Sequence, residues 1–137
     1  MKKIKALILS PMDASYKRIR DTIQKTLQES DVTSIQIDKF LPGTLFTNAI
    51  AEAIQKSDFI IADVSSKNPN VIYEVGFAHG LRKPTLLMLS TDSRDEMPYD
   101  LVGYQMATYD PNNLESLKRQ IYRFVRYQKS RWEKQNV

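Results

Sequence analysis

Phe59-Ile60-Ile61-Ala62 is a run of four apolar side chains that stops abruptly at Asp63. A run so short and so continuous fits a strand covered on both faces, the setting of a central strand in a parallel sheet. The segments around it repeat the theme. Ile4-Lys5-Ala6-Leu7-Ile8-Leu9 is a β-rich run closed by Ser10-Pro11, and Thr85-Leu86-Leu87-Met88-Leu89 is another, behind Pro84. Thr33 to Ile37 alternates as a half-buried strand does, and Gln105 to Tyr109 reads as a last short strand. Between these runs the period changes. Tyr16, Ile19, Ile23 and Leu27 lie on one helical face behind a cap at Asp13 or Ser15. Leu45, Ala49, Ile50, Ala53 and Ile54 do the same after the Pro42-Gly43 turn, with Thr44 or Thr47 opening the helix. A third helix is expected from the Asn68-Pro69-Asn70 cap to about Leu81. A fourth, over about 112–132, carries Leu117, Ile121, Phe124, Val125 and Trp132 on its inner face. The order β-α-β-α-β-α-β-loop-β-α predicts an α/β fold. The expected architecture is a flavodoxin/Rossmann-like, doubly wound, mostly parallel five-stranded sheet with helices on both faces. With 137 residues and no repeat or linker, one domain spanning 1–137 is expected.

Bulk properties narrow the class. Thr85 to Leu89 is among the longest apolar runs, far short of the roughly 20 residues a membrane span needs. The start Met1-Lys2-Lys3-Ile4-Lys5 is charged like a signal peptide, but Ala6 to Leu9 is too short for its apolar core. The sequence has no cysteine, so disulfide and thiol chemistry are excluded and the cytoplasm is the expected compartment. The net charge of +4 is uneven: from Leu114 onward seven Lys/Arg face two Glu, giving +5, and the remainder, 13 basic against 14 acidic, gives −1. The excess therefore sits on the last helix, which reads as a solvated face or as a strip for an acidic partner. Neither a membrane nor a nucleic acid is the expected partner.

In an open parallel sheet, ligands bind beyond the carboxyl ends of the strands, where strand order reverses. Three loops qualify: Ser10-Pro11-Met12-Asp13, Asp63 to Asn70, and Ser90 onward. The middle one is richest, with Asp63 at the strand end, the amides of Asn68 and Asn70 in the loop, and Glu74 in the first turns of the helix. A carboxylate there is favoured by the helix's positive end. Near a sugar's anomeric carbon it can act as a nucleophile or stabilise an oxocarbenium-like transition state. The first loop, with Ser10, Asp13 and the following amides, suits a phosphate or hydroxyl.

The stretch Asp63-Val64-Ser65-Ser66-Lys67-Asn68-Pro69-Asn70-Val71-Ile72-Tyr73-Glu74-Val75-Gly76-Phe77-Ala78-His79-Gly80-Leu81-Arg82-Lys83-Pro84 resembles the signature of the nucleoside 2-deoxyribosyltransferase-like superfamily. That group includes 2'-deoxynucleoside 5'-phosphate N-hydrolases, and a TIR-like nucleotide-binding branch is similar to it. The resemblance implies cleavage or transfer at the N-glycosidic bond of a nucleoside or nucleotide, with Glu74 as nucleophile and Asp63 contacting base or sugar. Asn68 falls where the transferases have an aspartate and the nucleotide hydrolases a phosphate-contacting serine. Gly76 and Ala78 match small residues that let the helix pack closely on the sheet. The glycine-poor first loop, and the run Asp100-Leu101-Val102-Gly103-Tyr104-Gln105, resemble the TIR-like branch. That branch implies the alternative: a non-catalytic nucleotide-binding sensor, or an NAD-hydrolase-like domain, acting through a partner or oligomer. A homo-oligomer is implied as well, because the related enzymes complete their sites across subunits.

Other chemistries find less support. His79 is the only histidine, so a zinc site cannot be completed, and it reads as structural. Tyr73, Phe77, Tyr99 and Tyr104 could stack on a base, and Tyr99 and Tyr104 flank the long loop over the expected site. No GxxxxGK[ST] or GxGxxG occurs, and no cofactor is expected. A phospho-acceptor receiver domain lacks its acidic pair after the first strand and its lysine at the end of the fifth.

Overall fold

The computed structural model describes residues 3–35, 46–66, 68–92 and 106–135, with the backbone alone at 46–48. The elements are β1 (Ile4–Leu9), a 3-10 turn (Ala14–Tyr16), α1 (Lys17–Glu29), β2 (Val32–Ile35), α2 (Phe46–Lys56), β3 (Phe59–Asp63), α3 (Pro69–Gly80), β4 (Thr85–Ser90), β5 (Ala107–Tyr109) and α4 (Glu115–Gln135). The five strands form one sheet in the order β2-β1-β3-β4-β5. All four strand pairs are parallel. This is the expected doubly wound α/β fold.

Burial follows from the periodicities. β3 is buried at all five positions, as its unbroken apolar run requires of a strand roofed on both sides. One core layer joins Leu7, Leu9, Ile60 and Ala62 to Ile50 and Ile54 of α2 and to Val71, Val75 and Ala78 of α3. On the other face Ala6, Phe59, Ile61 and Met88 meet Ile19, Ile23 and Leu27 of α1 and Leu117, Ile121 and Val125 of α4. Phe124 packs edge-on against Phe59, with ring centroids 5.3 Å apart.

Helix boundaries differ from expectation at two places. Asp13 occupies the cap position of the 3-10 turn without a side-chain capping bond, and α1 proper begins only at Lys17. The last helix begins at Glu115 rather than near 112. Asp110 to Asn113 form a closed turn instead, with the Asn112 N–H donated to Asp110 Oδ1 at 2.9 Å. The α3 terminus is a Schellman closure: Arg82 N–H donates to His79 O and Lys83 N–H to Ala78 O. It places Arg82 at φ 58, a left-handed position that usually falls to glycine. Lys83 Nζ then donates to Gln55 O at 3.1 Å and Ser57 O at 2.8 Å, holding the end of α2.

Strand order reverses between β1 and β3. The register Leu9↔Ala62 sets Ser10 alongside Asp63 at that switch point, and the crevice there is where such sheets bind ligands.

Candidate active site

Four strand ends converge at the carboxyl edge of the sheet, and each supplies a buried polar side chain: Ser10 after β1, Asp63 on β3, Ser90 on β4 and Tyr109 on β5. Asp63 is at their centre and fully buried. Its Oδ1 accepts the Ser65 N–H at 2.9 Å, and its Oδ2 accepts the Tyr109 hydroxyl at 2.5 Å. Ser65 Oγ in turn accepts the Ser90 N–H at 2.8 Å. One carboxylate thus ties β3 to β5 and folds back the loop that leads to α3, while Ser65 bolts that loop to β4. Burial pushes the Asp63 carboxyl above its ordinary range, outweighing the hydrogen bonds from Ser65 and Tyr109 that pull it down. Tyr109 is raised as well, first by burial and then by the neighbouring Asp63, so it remains a protonated donor.

The loop delivers the chain to α3 through Asn68. Its Oδ1 accepts the N–H groups of Asn70 at 2.9 Å and Val71 at 3.3 Å, a regular N-cap with Pro69 in the first turn. Capping leaves the Asn68 amide NH2 as the group available for donation to a ligand. Asn70 is exposed beside it. The Ser66 hydroxyl is buried, with no hydrogen-bond partner among the described residues.

Glu74 is the sixth residue of α3 and is fully buried with Val71, Val75 and Ala78. It lies in the second turn, and no acid occupies the first. The favourable pull of the helix terminus, which fades within one turn, is therefore weaker on Glu74 than its sequence position suggests. Burial, rather than the helix dipole, sets this carboxylate apart.

On the β1 side, Ser10 is buried and its hydroxyl donates to Pro11 O at 3.3 Å, whereas Asp13 is exposed. Arg20 Nη1 pins the loop by donating to Pro11 O at 2.5 Å and Asp13 O at 3.1 Å. Ser10, Asp63, Asn68, Asn70 and Glu74 thus lie on the strand end, the two loops and the one helix bordering the switch point, and Asp13 is exposed in the first of those loops. Tyr99 and Tyr104 lie outside the described residues. Tyr73 is 53% exposed on the outer face of α3, its ring 6.4 Å from that of Phe77. His79 is exposed in the last turn of α3, and no metal-holding group of side chains occurs among the described residues.

One expectation about α3 is corrected. Ala78 is fully buried against the sheet, but Gly76 is exposed, and beyond its own stretch of helix no described residue comes within 4 Å of where a Cβ would stand. Close packing therefore does not explain this glycine. Gly76→Ala is expected to stabilise the fold by about 0.5–1 kcal/mol, because alanine loses less freedom in a helix than glycine. Urea melts would read the gain, and a loss of stability would mean that the outer face of α3 is crowded in solution.

Sequence reasoning missed Tyr109, Ser65, Ser90 and Arg20. Tyr109 is 46 residues from Asp63, and only the strand order brings them together.

No protein-family model and no curated protein matches the chain by sequence. Solved structures do. A CMP N-glycosidase of Clostridium botulinum superposes with a TM-score of 0.68 at 18% identity, covering 87% of this chain and 98% of its own. The TIR domain of a Toll-related receptor from Hydra magnipapillata gives 0.66 at 20% identity, over 88% and 97%. The chain has the fold these two proteins share. A 2-deoxyribosyltransferase from Bacillus psychrosaccharolyticus belongs with them, at a TM-score of 0.63 and 13% identity, over 83% of this chain and 90% of its own. Both branches suggested by the Asp63–Pro84 stretch are thus represented among the structural neighbours, and each match covers nearly the whole of the neighbour. No described helix is long and apolar enough to cross a membrane.

Proposed function

We propose that this protein cleaves or transfers the N-glycosidic bond of a nucleoside or nucleotide, with Glu74 as the nucleophile. The observation that carries the reading is a fully buried glutamate on the helix that follows the switch-point strand. A buried carboxylate on the helix that borders the switch point, where such sheets bind ligands, is a candidate for chemistry. The fold shared with a CMP N-glycosidase and a 2-deoxyribosyltransferase supports the same reaction class.

In the first step a Glu74 oxygen bonds to the anomeric carbon as the carbon–nitrogen bond breaks, and the base leaves with the bonding pair and gains a proton. In the second, water or another base attacks that carbon, gives up to solvent a proton that balances the one the leaving base took up, and releases Glu74 as carboxylate. On this reading the Asn68 amide and the Ser66 hydroxyl donate to sugar or phosphate oxygens, and Ser10 contacts the ligand from the β1 side. Asp63 acts as a positioning residue on this reading, since both of its oxygens already accept bonds from the scaffold. The working form is a homo-oligomer. The direct test is intact-mass spectrometry after incubation with 2-fluoro-2-deoxy analogues of the accepted substrate. A glycosyl increment on the peptide bearing Glu74 supports the covalent step. Steady turnover with no adduct in quenched samples counts against it.

Asn68 allows its two roles to be separated. Asn68→Asp keeps a capping oxygen but removes the amide donor, so stability is expected to hold while KM rises by about tenfold, the worth of one hydrogen bond. Asn68→Ala is expected to lose about 1 kcal/mol of stability as well. Equal KM values for wild type and Asn68→Asp would leave the residue as a cap alone.

A second reading, a nucleotide-binding sensor without turnover, draws on the engagement of Asp63 by the scaffold and on the TIR-like neighbour. Calorimetric binding of a nucleotide with no product after long incubation would favour it.

A further inference from the structure

The end of the sheet where the strands begin, opposite the carboxyl edge, holds a cavity of about 350 Å³. Its floor is formed where strands begin, by Ile4, Asp58, Phe59 and Pro84. Its walls are the α3–β4 turn, with Arg82 and Lys83, and the end of α4, with Gln128, Arg131, Trp132 and Gln135. The overhang of α4 creates it. A helix of 21 residues is about 31 Å long, whereas a six-residue strand spans about 20 Å. The buried apolar series of α4 ends at Val125, and the same face continues past the sheet as Gln128, Arg131, Trp132 and Gln135, spaced at i, i+3, i+4 and i+7.

The lining has a definite chemical character. Three cationic side chains accompany one carboxylate, and that carboxylate accepts the Lys5 N–H at 2.8 Å. Lys83 Nζ is held by two carbonyl oxygens. The two guanidiniums are differently placed. Arg82 is exposed, at the left-handed position of the Schellman closure where glycine would carry no strain. Arg131 is exposed with its guanidinium 5.8 Å from the Tyr127 ring centre. Stacking uses the flat face and leaves the N–H edge for bidentate binding of a phosphate or carboxylate. Trp132 offers a partly buried flat ring, and Gln128 and Gln135 can pair with polar ring edges. The volume suits a ligand of mononucleotide size.

We propose that this cavity is a second ligand site, which takes a planar heteroaromatic phosphate monoester with its phosphate on Arg82 and Arg131 and its ring against Trp132. The site does not depend on the role of Glu74.

The chain has a single tryptophan, so binding reads out in Trp132 emission excited at 295 nm. Titration of the protein with adenosine 5'-monophosphate at 150 mM salt is expected to change that emission saturably. Arg131→Gln and Arg82→Gly are each expected to weaken the response at least tenfold. Arg82→Gly relieves the left-handed backbone, so it is expected to melt no lower than wild type, and lost binding in that variant is not lost folding. No saturable change in the wild type, or a change that survives both substitutions, overturns the proposal. Inorganic phosphate competing as strongly as the nucleotide overturns the assignment of the ring to Trp132.

Discussion

Glu74→Gln is expected to reduce base release at least about 10³-fold while leaving the unfolding temperature within a few degrees of wild type. An amide oxygen is a poor nucleophile toward an anomeric carbon and does not form the glycosyl ester. The packing argument points the other way. Glutamine has nearly the shape of glutamate and introduces no charge into a fully buried position, so the fold should tolerate it. Glu74→Asp separates reach from charge. Shortening the side chain by one methylene withdraws the carboxylate by more than about 1 Å, a displacement that typically costs on the order of 10² in rate. Steady-state rates by chromatography, with circular dichroism melts of the same preparations, check all three proteins. Equal turnover by wild type and Glu74→Gln would remove the covalent role.

The second large effect concerns the Asp63–Tyr109 bond. Tyr109→Phe leaves a fully buried carboxylate oxygen without its donor, at an expected cost of about 1–3 kcal/mol. Asp63→Asn behaves differently, because the asparagine oxygen still accepts from Ser65 N–H and its amide can donate to the Tyr109 oxygen. Burial raises the Asp63 carboxyl in the folded protein. Its contribution to stability is therefore complete below the unfolded value, near about 4, and is lost as pH rises through the folded value. Stability of the wild type relative to Asp63→Asn is expected to fall across that window and then level off. This runs opposite to the usual acid denaturation by paired carboxylates. Urea melts of both proteins at a series of pH values from 3.5 upward give the difference. A pH-independent difference would mean that the carboxyl is not perturbed. A positioning role also predicts that Asp63→Asn keeps activity within about tenfold of wild type, whereas a loss as deep as that of Glu74→Gln would place Asp63 in the chemistry.

The layout of the fold was legible because its signals are local. The unbroken run Phe59 to Ala62 announced a doubly covered strand, and β3 is buried at every position. The 3.6-residue spacing of Ile19, Ile23 and Leu27 gave α1 its inner face. The Asn68-Pro69 pair marked the start of α3, and Asn68 is its cap. Helix starts were less legible where capping signals compete. Asp13 and Ser15 both look like caps, but the chain makes a 3-10 turn there first, and Pro111-Asn112-Asn113 closes a turn before α4.

The site was legible only in part. Glu74 and Asp63 stand out in a single contiguous stretch, whereas Tyr109 and Ser90 reach Asp63 and Ser65 through the register of parallel strands far apart in sequence. Gly76 misled because its close-packing role was carried over from the family resemblance, and only the orientation of α3 reveals that it faces outward.

The central claim is that a buried Glu74 performs glycosidic chemistry, and a chromatographic screen for free base tests it most directly. Purified wild type and Glu74→Gln would be incubated with deoxynucleosides, deoxynucleoside monophosphates, ribonucleotides and NAD. The account predicts that the wild type releases a free base, or nicotinamide, from at least one of them and that Glu74→Gln releases none. Intact substrates throughout, from a folded wild-type protein, would contradict it.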